Sequence, residues 1–481
     1  MRANKASIGA HLNRALAVAL GAVLLAGVVW TPSAKAASPT QIANAVAAGL
    51  ASLYSQQKSS GCPGAVQGCW SYSNGGPYYA APTGAAVFAF LGAKSSWGAQ
   101  AANYQTAVTN GINYLLANAA TITVSTRDDG VNICPGGSGA CTGVYWVGEG
   151  ELTYSTGIVA AAVDSYGLAL GAGAMATTSG PLAGMTYGQI AQGISNEFVA
   201  TQSTSADLTT NGGRYVEYGG WRYGTPGYAG DSDTSTTQWA VYSFIFDESL
   251  GATEPASTKT NLAHWLSIVQ EPSTAGALAG GVCYQSVVAN SCQIGPDNSD
   301  TGGWLLAQQW LGTPASNTQV QAALTWLNSN WTTQANSSWL GNFGQPYAML
   351  ADYKGLETTI GLTATTNITT LLSSNCGSNL PSGVACNWYQ DYEQWLVTNQ
   401  NGFNTTTGVV TSPAGWAGYA YWTDPLSTAF DLTILSAAAV PAGLSAPAVS
   451  VPALSAIGLG VLALLLVISF IAMRNRNVHT S

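Results

Sequence analysis

The sequence predicts an all-α fold: an α/α toroid of about six helical hairpins, plus a C-terminal transmembrane helix. Three observations carry the prediction. Ordinary amphipathic runs alternate with more apolar runs that start from Gly-rich or aromatic loops. The second kind of run recurs behind a polar cap at roughly regular spacing. No long period-two alternation competes with the helical period, although the Gly/Tyr-rich loops leave room for short strands.

The elements follow in chain order. Residues 1–36 read as a secretory signal peptide: Arg2, Lys5 and Arg14 precede the apolar stretch Ala15–Val29, and Ala34-Lys35-Ala36 is an A-x-A cleavage site. The toroid domain spans 37–440. Amphipathic helices are expected at 41–50, 104–117, 187–200, 260–269 and 320–327, where apolar residues return every three or four positions. Between them, Pro82-Thr83-Gly84, Ser155-Thr156-Gly157, Asp233-Thr234-Ser235, Asp300-Thr301-Gly302-Gly303-Trp304 and Leu426-Ser427-Thr428 each open an apolar helix. Ser, Thr and Asp suit these positions because their oxygens accept the N–H groups that a helix start leaves unpaired.

Taking Thr83, Thr156, Thr236, Thr301 and Thr428 as markers, the first three intervals are 73, 80 and 65 residues. The last, 127 residues, holds one further unit, starting at Phe343-Gly344-Gln345-Pro346. Units repeated in this way bury their apolar faces on their neighbours, and six can close a ring with one helix of each pair inside. Behind the toroid, residues 441–455 form a Pro/Ala/Ser linker and sorting signature. The uncharged 18-residue stretch 456–473 is just long enough to span a bilayer. Residues 474–481 form a basic tail, whose Arg474 and Arg476 place it in the cytoplasm.

The exported part carries all 22 Asp and Glu residues but only seven Lys and Arg, a net charge of −15. That excludes nucleic acid as a partner and permits neutral or cationic ligands. Its eight cysteines fall into four close pairs: Cys62 with Cys69, Cys134 with Cys141, Cys283 with Cys292, and Cys376 with Cys386. Each pair brackets a Gly/Pro/Ser-rich loop, so local disulfides are expected in an exported protein.

Two resemblances enter here. Gly68-Cys69-Trp70, Gly219-Gly220-Trp221 and Gly302-Gly303-Trp304 resemble the Gly-x-Trp ends of the repeats of squalene and terpenoid cyclases, and the run Gly219–Trp239 resembles prenyltransferase/squalene-oxidase repeats. This resemblance implies the α/α toroid. Val451-Pro452-Ala453-Leu454-Ser455, with the apolar span and Arg474-Asn475-Arg476, resembles the IPTL/PEP-CTERM class of bacterial sorting tails. It implies a sorting or processing protease as partner. The protein is then expected on the periplasmic side or the cell surface, anchored in the membrane by its C-terminal helix unless processed.

Class II cyclases protonate substrate with the middle acid of an Asp-x-Asp-Asp motif. The resemblance makes Asp233 that acid, with Asp231 beside it, but Thr234 stands where the last Asp would be. The bland reading of both carboxylates is a helix cap and a loop tie. Trp221, Tyr223, Trp239, Trp304 and Trp422 are candidate ligand-binding aromatics, for a glycan or an isoprenoid; the alternative is packing between helices. A glycan hydrolase or lyase would need two facing carboxylates, drawn from Glu149, Glu151, Glu217, Asp231, Asp233, Asp297, Asp300 and Asp424. Asp297-Asn298-Ser299-Asp300 resembles a Ca²⁺-binding turn, with an Asx-turn and helix cap as the alternative; no other cofactor is expected. A single exported histidine, His264, leaves no Ser-His-Asp apparatus. The reading that follows is an exported toroid that binds a neutral ligand or partner through its aromatic, Gly-rich loops without a complete catalytic constellation. Its alternatives are a toroid enzyme and a surface-layer component.

Overall fold

A computed structural model describes residues 37–441, except 74–76, 138, 148–150, 207–216, 225–231, 289–290, 293, 332–340, 366 and 372–385. The expected signal peptide, sorting signature and basic tail lie outside the described residues. The fold class needs correction in two respects. Among the described residues no helix is long and apolar enough to cross a membrane, so the expected C-terminal transmembrane helix finds no support; the stretch 456–473 itself lies outside them. Nor is the domain purely α: four two-stranded antiparallel sheets accompany the helices.

Twelve α-helices are described. They are α1 (Pro39–Gln56), α2 (Ala80–Gly92), α3 (Ala101–Ala117), α4 (Leu152–Leu170), α5 (Tyr187–Thr201) and α6 (Thr234–Ser249). Then follow α7 (Ala256–Ile268), α8 (Asn298–Trp310), α9 (Thr318–Asn330), α10 (Pro346–Ile360), α11 (Trp388–Asn399) and α12 (Leu426–Leu435). The even-numbered helices pack on one another in order, α2 on α4, α6, α8, α10 and α12, and α12 packs back on α2. They form a closed inner ring. The odd-numbered helices sit outside it, each against one or two inner helices.

Sequence sets which helix goes where. On α1, the stripe Ala45, Val46, Ala48, Gly49, Leu50, Ser52 and Leu53 is buried, while positions such as Ala43, Asn44, Ala47 and Tyr54 face solvent. On α6, every residue from Thr234 to Asp247 is buried, as expected for a helix covered on all sides. The inner helices approach closely because glycines face their neighbours. A Cβ at Gly302 would lie 2.4 Å from the backbone nitrogen of Asp352 on α10, and one at Gly157 would lie 2.6 Å from the Trp239 carbonyl on α6. Gly302-Gly303-Trp304 is therefore inner-helix packing within α8.

The loops that enter the inner helices share one clip. Trp70, Trp146, Trp221 and Trp416 each donate the indole N–H, at 2.7 Å, to a carbonyl at the end of the preceding outer helix: Leu53, Leu115, Phe198 and Leu396. Their backbone N–H groups donate to Thr83, Thr156, Thr237 and Thr428 on the inner helix that follows. The repeat marker in the third unit is thus Thr237, one residue beyond Thr236. In the fourth unit Val282 takes the loop position, bonded to Thr301, and Trp304 reaches Leu266 from inside α8.

The strands are short: β1 (Tyr72–Ser73) pairs with β2 (Pro77–Tyr78), β3 (Ala120–Val124) with β4 (Cys141–Tyr145), β5 (Val287–Val288) with β6 (Ser291–Cys292), and β7 (Phe403–Asn404) with β8 (Val409–Val410). Disulfides Cys62–Cys69, Cys134–Cys141 and Cys283–Cys292 close the loops predicted for them. Cys386 is also disulfide-bonded, while Cys376 lies outside the described residues. Three local disulfides fit an oxidising compartment. The Arg127-Asp128-Asp129-Gly130 segment, which reads in the sequence as a solvated turn, holds a buried arginine. Arg127 binds Asp129 through two nitrogens and also reaches Gln202 and Ser257.

Candidate functional site

The N-terminal ends of α4, α6, α8 and α10, with the loop before α12, bring an aromatic and acidic cluster together. Asp233 caps α6. Its carboxylate accepts from the Thr236 backbone N–H at 2.7 Å and from the Ser235 hydroxyl at 2.6 Å. Arg222, partly exposed on the preceding loop, pairs with it at 3.1 Å. Asp233 itself is fully buried. Burial pushes its carboxyl above the usual range, while the Ser235 hydroxyl, the Arg222 charge and the Thr236 N–H pull it back.

Around this pair lie rings. Tyr154 donates its hydroxyl to Ser235 at 2.7 Å. The Arg222 guanidinium lies over both Tyr223 and Tyr284, whose hydroxyls are 2.5 Å apart. Tyr154 stacks on Tyr223, and Tyr347 stacks on Trp422 with ring centres 4.5 Å apart. Tyr154 and Tyr347 are buried, whereas Arg222, Tyr223, Tyr284 and Trp422 are half-buried and form the accessible rim.

Asp297 caps α8, accepting from the Asp300 N–H at 2.8 Å and the Ser299 hydroxyl at 2.7 Å. Asp300 is 1% exposed, and neither carboxyl oxygen meets a donor. Burial, then the charges of Asp297 and Asp233, push its carboxyl well above the usual range. Among the described residues no third His, Cys, Asp or Glu atom joins these two within ligand range. The only such group is Glu271, Cys283 and Cys292, in which the two cysteines are bonded to each other. A Ca²⁺ turn at Asp297 and Asp300 would have to displace a helix cap.

The other sequence-derived candidates fall apart. Asp231 and Glu149 lie outside the described residues. Glu217 accepts from Ser286, Asp424 accepts from Gln56 and Thr428, and Glu151 is exposed. Trp221 and Trp304 are fully buried clips that present no face to a ligand. Trp239 is buried in the ring centre, against Phe430. Tyr284 and Tyr347 belong to the site although sequence reasoning passed over them. Tyr347 at the second position of α10 is the one signal that could have found it; Tyr284, beside Cys283, offered none.

A terpenoid cyclase needs an apolar chamber beneath its acid. Here Ala85, Phe88, Ile158, Ala161, Trp239, Tyr242, Leu350, Phe430 and Thr433 fill the ring centre, leaving a cavity of about 10 Å³. That is about one probe sphere, the space of a single water. Asp233, bound to Arg222 and two donors, is held as an acceptor rather than as a proton donor. No protein-family model matches the chain, and neither the curated proteins nor the solved structures hold a match.

Proposed function

We propose that this is a binding protein of an oxidising compartment whose loop face takes a neutral, hydroxyl-rich ligand such as a glycan, without a complete catalytic constellation. One observation carries the reading: half-buried Tyr223, Tyr284 and Trp422 form a rim whose charged groups, Arg222 and Asp233, already neutralise each other. Flat rings and phenol hydroxyls suit a sugar, which has apolar faces and hydroxyl edges. A fixed ion pair at the base disfavours charged ligands, and among the described residues the cavity at the ring centre, about 10 Å³, is too small for an isoprenoid chain. Isothermal titration of the protein against glycan and isoprenoid panels tests it. The expected result is saturable heat with a glycan, lost in Trp422→Ala. Binding of isoprenoids alone, or of nothing in either panel, would sink the reading.

A further inference from the structure

Lys354 is the one Lys or Arg on the six inner helices, and it is fully buried. Its Nζ lies 4.1 Å from the centre of the Trp239 ring and 4.3 Å from that of Tyr242. It donates one hydrogen bond, to Oε1 of Gln238 at 3.3 Å. The surrounding helices carry Tyr242 on α6, Asp300 on α8, Tyr347 and Glu357 on α10 and Asp431 on α12, and none of them makes an ion pair with the amine among the described residues. Burial pulls this amine down to about 7.

The Gln238 amide continues toward the loop face. Its Nε2 donates to the Tyr347 hydroxyl at 2.8 Å and, at 3.4 Å, to the Ser299 carbonyl, and Tyr347 donates onward to the Ser235 carbonyl at 2.7 Å. Ser235 is the residue bonded to both Asp233 and Tyr154, and the Tyr347 ring stacks on Trp422. An ammonium can only donate, so while Lys354 is charged the amide must turn its oxygen toward it and its NH₂ toward Tyr347. A neutral amine also accepts. The amide can then turn over, giving up only its long bond to the Ser299 carbonyl, offer its oxygen to Tyr347 and draw that hydroxyl away from Ser235.

We propose that Lys354 is a positioning residue for the loop face: its charge locks the Gln238 amide, and the amide sets which way the Tyr347 hydroxyl points. The chain runs from the centre of the ring to the base of the rim, so proton loss at Lys354 loosens the Tyr347–Trp422 stack. Its consequence for ligand affinity rests on the binding reading above; the lock itself does not.

The test is an NMR titration of the full-length protein, ¹⁵N-labelled at glutamine side chains, from about pH 5.5 to about pH 9 with no ligand added. The Gln238 amide signal should shift through a single titration near neutrality in the wild type and stay fixed in Lys354→Met, while Tyr347→Phe should leave the lysine titration in place. A Gln238 signal that does not move in the wild type, or that moves equally in Lys354→Met, overturns the proposal. Should Lys354→Met fail to fold, the ¹³Cε signal of Lys354 in the wild type decides. It must titrate together with Gln238, and a lysine still charged at pH 9 overturns the lock. Because no ligand is present, a negative outcome leaves the binding reading standing.

Discussion

Asp233 illustrates what one residue discloses in sequence and what it withholds. Its place before an apolar run marks it as a cap, since the chemistry of helix starts is local. Its partner Arg222 is eleven positions earlier and meets it only because the loop folds back on α6. Asp233→Asn keeps a capping oxygen and should cost less than about 1 kcal/mol, against about 1–2 kcal/mol for Asp233→Ala, both read from chemical denaturation. If Asn proves as damaging as Ala, the ion pair rather than the cap holds this helix start. For the clip, Trp221→Phe strands the Phe198 carbonyl and should destabilise by about 1–3 kcal/mol. A neutral result would show that the indole bond is dispensable.

Among the elements, amphipathic runs coincide with α1, α3, α5, α7 and α9, because a helix with one dry face declares its period in its own sequence. The inner helices are buried on every side and lose that period; only their caps mark them. This is why the third marker falls on Thr236 in the sequence and on Thr237 in the clip: both threonines are buried, and only contact with Trp221 distinguishes them. The same limit hides the role of Gly302, which the sequence marks only as part of a helix opening but which stands where α8 touches α10. Gly302→Ala should therefore destabilise by at least about 1–3 kcal/mol through overpacking, despite the better helix propensity of Ala. An unchanged or raised melting temperature would mean that the two backbones separate without cost. The site was legible to a similar degree: Tyr223 and Trp422 could be named from aromatic loops, whereas Tyr284 and Tyr347 arrive from other units once the ring closes.

For the whole molecule, buried carboxyls without cations set the response to pH. Asp164 and Asp247 share one buried site: burial pushes both up, and the charge of Asp164 raises Asp247 further. Asp352 and Asp431 are pushed well above the usual range by burial, and Glu197 to about 7. For an acid raised in the folded state, stability is fully present below the unfolded value and is lost as pH rises through the folded one. Glu197 thus gives up stability between the ordinary glutamate value of 4.5 and about 7, on the order of 3 kcal/mol, and the other buried acids act in the same direction. Lys354 has the opposite sign: its lowered value costs stability below about 7 and relieves it as pH climbs toward 10.5. The melting temperature should fall from pH 5 to pH 7, and Glu197→Gln should flatten that fall. A melting temperature that rises across this window would show that these acids are ionised in the folded protein.

The central claim is that the rim of Tyr223, Tyr284 and Trp422 is the binding surface. The most direct measurement is a crystal structure of the protein with whichever glycan binds most tightly. It should place a sugar ring against Trp422 or Tyr223, with hydroxyls within reach of the Tyr223–Tyr284 pair and Arg222. A glycan seated elsewhere, for example in the open polar groove of about 470 Å³ near Lys259, Gln308 and Asn317, would contradict the account.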